Sequence, residues 1–129
     1  MRILAVDDEA DTRALLKDLL TQAGHRVTAV SNAVSALLHV KMDAPDLILL
    51  DVMMPGMDGH QLAQTLSGAW DTFEIPIVVL SCRKDAESKS WAKINGCVRY
   101  LEKPFCPTEL LDVIREVEQG RSDGALLDR

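Results

Sequence analysis

Residues 47–59, Leu47-Ile48-Leu49-Leu50-Asp51-Val52-Met53-Met54-Pro55-Gly56-Met57-Asp58-Gly59, decide how the rest of the chain is read. The apolar run 47–50 is too short for a helix, ends in a single acid and is bounded by turn residues, which makes it a strand. The same pattern recurs at 3–6, 27–30, 75–80 and 98–101, so five strands are expected. Helical spacing fills the gaps. Leu15, Leu16, Leu19, Leu20 and Ala23 form one amphipathic helix that stops at Gly24. A second follows the N-capping residues Ser31 and Asn32, places Val34, Leu37, Leu38 and Met42 on its inner face, and ends before Pro45. A third starts near Asp58 with Leu62 and Leu66 inward, and a fourth runs from about Asp85 to Asn95 and closes at Gly96. The fifth opens at Pro107 and carries Leu110, Leu111, Ile114 and Val117. Strands alternating with helices imply parallel pairing, right-handed crossovers and helices on both faces: a doubly wound α/β sheet.

The chain has 129 residues, enough for one ordinary domain. With 47% hydrophobic residues it can bury a core without metal or disulfide staples. The domain is expected over 1–119, with a flexible tail over 120–129 where Gly120, Ser122, Asp123 and Gly124 break the pattern. A net charge of -6, with no basic run to offset it, excludes direct nucleic-acid binding. No apolar stretch approaches the roughly 20 residues that span a bilayer, and the start of the chain is no signal peptide, so a cytoplasmic location is expected. Cys82, Cys97 and Cys106 are odd in number and lack a C-x-x-C pair, which points to buried, reduced thiols.

Ligands of such sheets bind at the carboxyl ends of the strands. There the first strand is followed by Asp7, Asp8 and Glu9, the third by Asp51, the fourth by Ser81, and the fifth by Glu102, Lys103 and Pro104. Each acid alone reads equally well as a turn former. Together they place three aspartates, a hydroxyl and one lysine at one sheet edge. Like charges so close raise one another's pKa unless a cation neutralises them. With only oxygen ligands on offer, Mg²⁺ is the expected ion.

These segments, 6–9, 50–59, Ser81 and 100–105, jointly resemble response-regulator receiver domains over residues 1 to about 118. The resemblance implies a flavodoxin-like sheet of order 2-1-3-4-5 with five helices. It also implies a two-component phosphorylation switch rather than an enzyme, limited to self-catalysed phosphotransfer and autodephosphorylation. Asp51 would take the phosphoryl group from a phosphohistidine, forming an acyl phosphate. Asp7, Asp8, Asp51 and the backbone carbonyl of Met53 would hold Mg²⁺, and Lys103 would pair a phosphate oxygen. Ser81 and Tyr100 would couple the site to the surface of the fourth helix, fifth strand and fifth helix. Lys103 and Pro104 would share a cis peptide bond. Gly59 would supply a loop conformation that other residues resist.

Several positions depart from the family pattern. Cys82 replaces the small residue after the hydroxyl, which narrows access. Met53 and Arg83 stand where the family tunes hydrolysis, and an apolar Met53 cannot orient water, so a long-lived phosphoryl state is expected. Cys106 replaces an Asp N-cap, at a cost of about 1 kcal/mol. Val98 and Arg99 replace the acidic pair of the charged dimer face used by winged-helix regulators. The stretch 81–84 with Trp91 is closer to stand-alone chemotaxis and twitching receivers, although an excised receiver reads the same way. Expected partners are a sensor histidine kinase or phosphotransfer protein and a downstream protein target, with the chain a monomer or a weak phosphorylation-dependent dimer. Two rivals exist. A dehalogenase-type phosphatase would need a second Asp where Met53 stands, and a pseudo-receiver would not need Asp8, Asp51, Ser81 and Lys103 together.

Overall fold

Five parallel strands form one sheet of order β2-β1-β3-β4-β5 in the computed structural model, which describes residues 1–51, 59–68, 74–81, 90 and 97–123. In chain order the elements are β1 (Arg2–Val6), α1 (Ala10–Gln22), β2 (Arg26–Val30), α2 (Ala33–Met42), β3 (Leu47–Asp51), α3 (Gly59–Gly68), β4 (Ile77–Ser81), β5 (Cys97–Glu102) and α4 (Pro107–Asp123). Of the helix expected from about Asp85 to Asn95, Ser90 is described and is helical, while the other residues, Trp91 included, lie outside the described residues.

Strand alternation divides the interior in two. Leu4, Val6, Ile48, Leu50, Ile77 and Val79 pack with Ala36 and Val40 of α2 and Leu62 and Leu66 of α3. Their neighbours Ile3, Ala5, Leu47, Leu49, Val78 and Leu80 pack with Leu16 and Leu20 of α1 and Leu110, Ile114 and Val117 of α4. Both faces being covered explains why the strands read as unbroken apolar runs rather than alternating ones. Burial of each large side chain contributes about 1.5–3 kcal/mol, so the central strands carry most of the driving force.

α1 ends as its Gly24 suggests. That residue adopts φ 95°, its N–H donates to the Thr21 carbonyl and the His25 N–H to the Leu20 carbonyl, a Schellman closure. Leu16 and Leu20 are buried, whereas Leu15 and Ala23 are exposed. α2 is capped by Asn32, whose side chain accepts from the Ser35 N–H at 2.8 Å. Its inner face differs from the expected one. Ala33, Ala36 and Val40 are buried and Leu37 is half-buried, while Val34, Leu38 and Met42 are exposed, Met42 at 85%. The small residues face the sheet because they let α2 approach closely, and the larger ones turn outward.

β4 begins at Ile77 rather than 75. Pro76 cannot donate to the ladder, although its carbonyl still accepts from the Ile48 N–H. α4 runs on to Asp123, beyond the expected end at 119, and Gly120 is a buried helical position on the same side as Val117. Cys106 is not a bare cap: its N–H donates to Glu109 Oε1 at 3.2 Å, half of a capping box. Cys97 is buried, which pushes its thiol up to about 12, but Cys106 is exposed, contrary to the expected burial, and Cys82 lies outside the described residues.

The two faces should respond differently to truncation. Leu20→Ala is expected to cost about 2–5 kcal/mol. Leu38→Ala should stay within about 0.5 kcal/mol. Urea midpoints of the two variants test this, and an equal loss in both would contradict the orientation of α2.

Candidate functional site

Each strand end contributes one piece of the site. β1 gives way to the turn 7–9, where the Asp7 N–H still donates to the Val30 carbonyl at the end of β2. Asp51 is the last residue of β3 and Ser81 the last of β4, and both are buried with Asp7. The Ser81 carbonyl accepts from the Lys103 N–H at 2.8 Å, which fixes where the lysine leaves β5. Its side chain then reaches back across the strand ends.

Lys103 Nζ lies 2.7 Å from Asp7 Oδ2, 3.4 Å from Glu9 Oε1 and 3.5 Å from Asp51 Oδ2. The ammonium is therefore the counter-ion of the acid cluster, nearest to Asp7 rather than to Asp51. Burial pulls the Lys103 pKa down, but the hydrogen bond its ammonium donates to Asp7 and the charges of Asp51 and Asp7 outweigh it, leaving it above the ordinary lysine value. Asp7 Oδ1 accepts from the Glu9 N–H at 2.9 Å, and Arg13 Nη1 donates to the Asp7 carbonyl at 2.8 Å.

Asp8 is exposed, unlike Asp7 and Asp51, yet all three can bring a carboxylate oxygen within 4.8 Å of one another. An all-oxygen donor set of this size suits Mg²⁺, which takes one or two carboxylates and keeps several waters. The exposed Asp8 leaves the solvent side of such a site accessible to those waters. Met53, whose carbonyl was expected to join the set, and Arg83, expected to tune hydrolysis, lie outside the described residues.

Tyr100 is half-buried against the α2 and α3 side of the sheet, the side to which Val79 also belongs. It reaches that side through a register shift: Cys97 pairs with Ile77 but Arg99 pairs with Val78, so β5 holds one extra residue, Val98. Val98 and Arg99 consequently serve the same side. Val98 packs into the α1 and α4 core, and Arg99 bonds Glu116 of α4 at 2.9 Å. The peptide between Lys103 and Pro104 is cis, as expected. Gly59 opens α3, a helical position rather than the special loop conformation expected of it. Sequence reasoning passed over the contacts of Glu9 and Arg13. Asp7 precedes α1 and lies six residues before Arg13, so helical spacing carried no signal for this contact.

The family described as the response regulator receiver domain matches residues 3–115. The chain belongs to that family. This receiver is 32% identical to protein PilH of Pseudomonas aeruginosa over 119 residues, covering 92% of this chain and 98% of PilH. It is 40% identical to response regulator MprA of Mycobacterium leprae, but spans 50% of that protein's length. Among solved structures, chemotaxis protein CheY4 of Vibrio cholerae matches with a TM-score of 0.85 and 30% identity, over 90% of this receiver and 97% of CheY4. No helix among the described residues is long and apolar enough to cross a membrane.

Removing the central cation should expose its role. Lys103→Ala leaves Asp7 and Asp51 buried without their counter-charge and is expected to cost about 3–5 kcal/mol in metal-free buffer. Because the folded-state value lies above 10.5, the lysine's contribution is complete at neutral pH and is lost as pH rises through the raised value. Urea midpoints of wild type and variant should therefore differ by a constant amount from neutral pH to about 9 and converge in stronger alkali. A gap independent of pH would contradict the assignment.

Proposed function

We propose that this receiver domain is a Mg²⁺-dependent phosphoacceptor switch in which Asp51 takes a phosphoryl group from the phosphohistidine of a sensor kinase or phosphotransfer protein. The observation that carries the reading is the buried carboxylate of Asp51, at the end of a central strand, beside Asp7 and 3.5 Å from the Lys103 ammonium. A carboxylate oxygen of Asp51 attacks phosphorus, the P–N bond breaks, and its electron pair leaves on the imidazole nitrogen, which takes up a proton. Bound Mg²⁺ would supply neutralisation of the phosphoryl oxygens' charge. Lys103 turns from Asp7 towards the new phosphate as a second positive charge, and the burial of Asp51 strengthens that attraction. Hydrolysis later breaks the acyl phosphate by attack of water on phosphorus. The domain is thus a self-dephosphorylating switch and not an enzyme acting on a separate substrate, and we place it in the cytoplasm, where such kinases present their phosphohistidines.

Ser81 and Tyr100 carry the signal outward. A phosphoryl group adds a charge of about −1.5 to −2 and three acceptor oxygens. The Ser81 hydroxyl is drawn to them and Tyr100 moves further inward, which changes the surface formed by β5 and α4, where a downstream protein docks. The beryllofluoride-activated receiver domain of RstA from Klebsiella pneumoniae, with a TM-score of 0.83 over the whole of both chains, supports the reading by likeness of fold.

Incubation with acetyl phosphate and Mg²⁺ should add one phosphoryl mass to the wild-type chain and none to Asp51→Asn. Equal uptake by both would sink the assignment of Asp51, and turnover of a free phosphomonoester would favour the phosphatase reading instead. Beryllofluoride with Mg²⁺ should shift the NMR signals of Tyr100 and its neighbours in β5 as well as those of residues 7–9. Changes confined to the acid cluster, with Ser81→Ala behaving as wild type, would rule out the proposed coupling.

A further inference from the structure

The turn between β1 and α1 has to hold three consecutive acids, Asp7, Asp8 and Glu9, in a fixed bearing although their charges repel. Two of the three are held by bonds of their own. The Asp7 N–H donates to the Val30 carbonyl at 3.1 Å and the Glu9 N–H to Asp7 Oδ1 at 2.9 Å. Arg13 adds two more from the first turns of α1: its N–H donates to the Glu9 carbonyl at 3.0 Å, and its guanidinium Nη1 to the Asp7 carbonyl at 2.8 Å. Asp8 is exposed and takes part in none of these bonds, so its carboxylate inherits its direction from the clamped residues on either side.

We infer that Arg13 is the positioning residue of the cation site: its guanidinium locks the Asp7 carbonyl and thereby aims the Asp8 carboxylate at the point shared with Asp7 and Asp51. The inference rests on the reading of this pocket as a Mg²⁺ site. Arg13 has two effects of opposite sign on such a site. As a clamp it favours the ion by holding the ligands in place, since Mg²⁺ demands near-ideal octahedral geometry. As a positive charge beside the carboxylates it opposes the ion. The clamp dominates, because outer partners of metal ligands commonly govern affinity by 10-fold to 100-fold, whereas the charge of a half-buried guanidinium is screened by water and salt.

Arg13→Gln removes the charge and shortens the donor, and Arg13→Lys keeps a donor and a charge at similar reach. Gln and Lys are both good helix formers, so α1 is retained in each. Titration of the full chain with Mg²⁺ alone, followed by the NMR shifts of the amides of residues 8–10, gives the dissociation constant without any phosphorylation. Arg13→Gln should weaken Mg²⁺ about tenfold, and Arg13→Lys should restore it to within about twofold. Unchanged or tighter binding in Arg13→Gln overturns the inference, as does a lower urea midpoint in metal-free buffer with no change in Mg²⁺ affinity, which would mark Arg13 as a staple of α1 only. A wild-type chain that binds no Mg²⁺ also overturns it. A wild type whose Mg²⁺ binding depends on Arg13 but which refuses acetyl phosphate leaves this inference standing and removes the phosphoacceptor reading.

Discussion

The ammonium of Lys103 sits among the carboxylates of Asp7, Glu9 and Asp51, and the upper edge of the sheet is organised around that placement. Three acids can share one edge only if a positive charge reaches them from elsewhere in the chain. Here it comes from the end of β5, the strand separated from β1 by β3 and β4. The lysine can make that reach because its own N–H is fixed to the Ser81 carbonyl. Sheet order, strand length and the turn after β5 therefore all bear on one ion pair. The same pair keeps the pocket stable without metal yet ready to reorganise, since an ammonium is a compact point charge on a flexible stem that can turn from one oxyanion to another.

The acids divide the work by burial. Asp7 is wholly enclosed, and its N–H, carbonyl and both carboxylate oxygens are engaged by Val30, Arg13, Glu9 and Lys103. It behaves as part of the framework. Asp8 faces water on the solvent side of the cluster. Asp51, buried beside the lysine, is shielded from solvent.

Much of this was legible in the sequence because it depends on strand ends. Short apolar runs followed by Asp7, Asp51, Ser81 and Lys103 place those residues together once the strands are parallel. What could not be read depends on closeness of approach and on register. Hydropathy assigned Val34, Leu38 and Met42 to the inner face of α2, but the sheet selects Ala33 and Ala36, because distance between backbones, and not the size of the apolar group, decides which side fits. The capping of α4 by Glu109 is hidden behind an unfavourable Cys106, and Gly120 reads as a helix end although it is a close-packed helical position. The extra residue in β5 leaves no mark in the sequence at all.

That extra residue bears on how the chain tolerates changes of length. Loss of one codon from a regular strand transposes every later side chain to the opposite face. Loss of the Val98 codon would instead leave Tyr100 and Leu101 on their present sides, since Arg99 already pairs with Val78 and would simply take over alternation from Cys97. The casualty would be the apolar contact of Val98 with the α1 and α4 core, together with the bond that Arg99 Nη1 donates to the Val98 carbonyl at 2.9 Å. β5 thus contains a position where a deletion costs packing but preserves orientation, and a one-residue shortening of this strand can pass through it without reversing the aromatic residue beside the site.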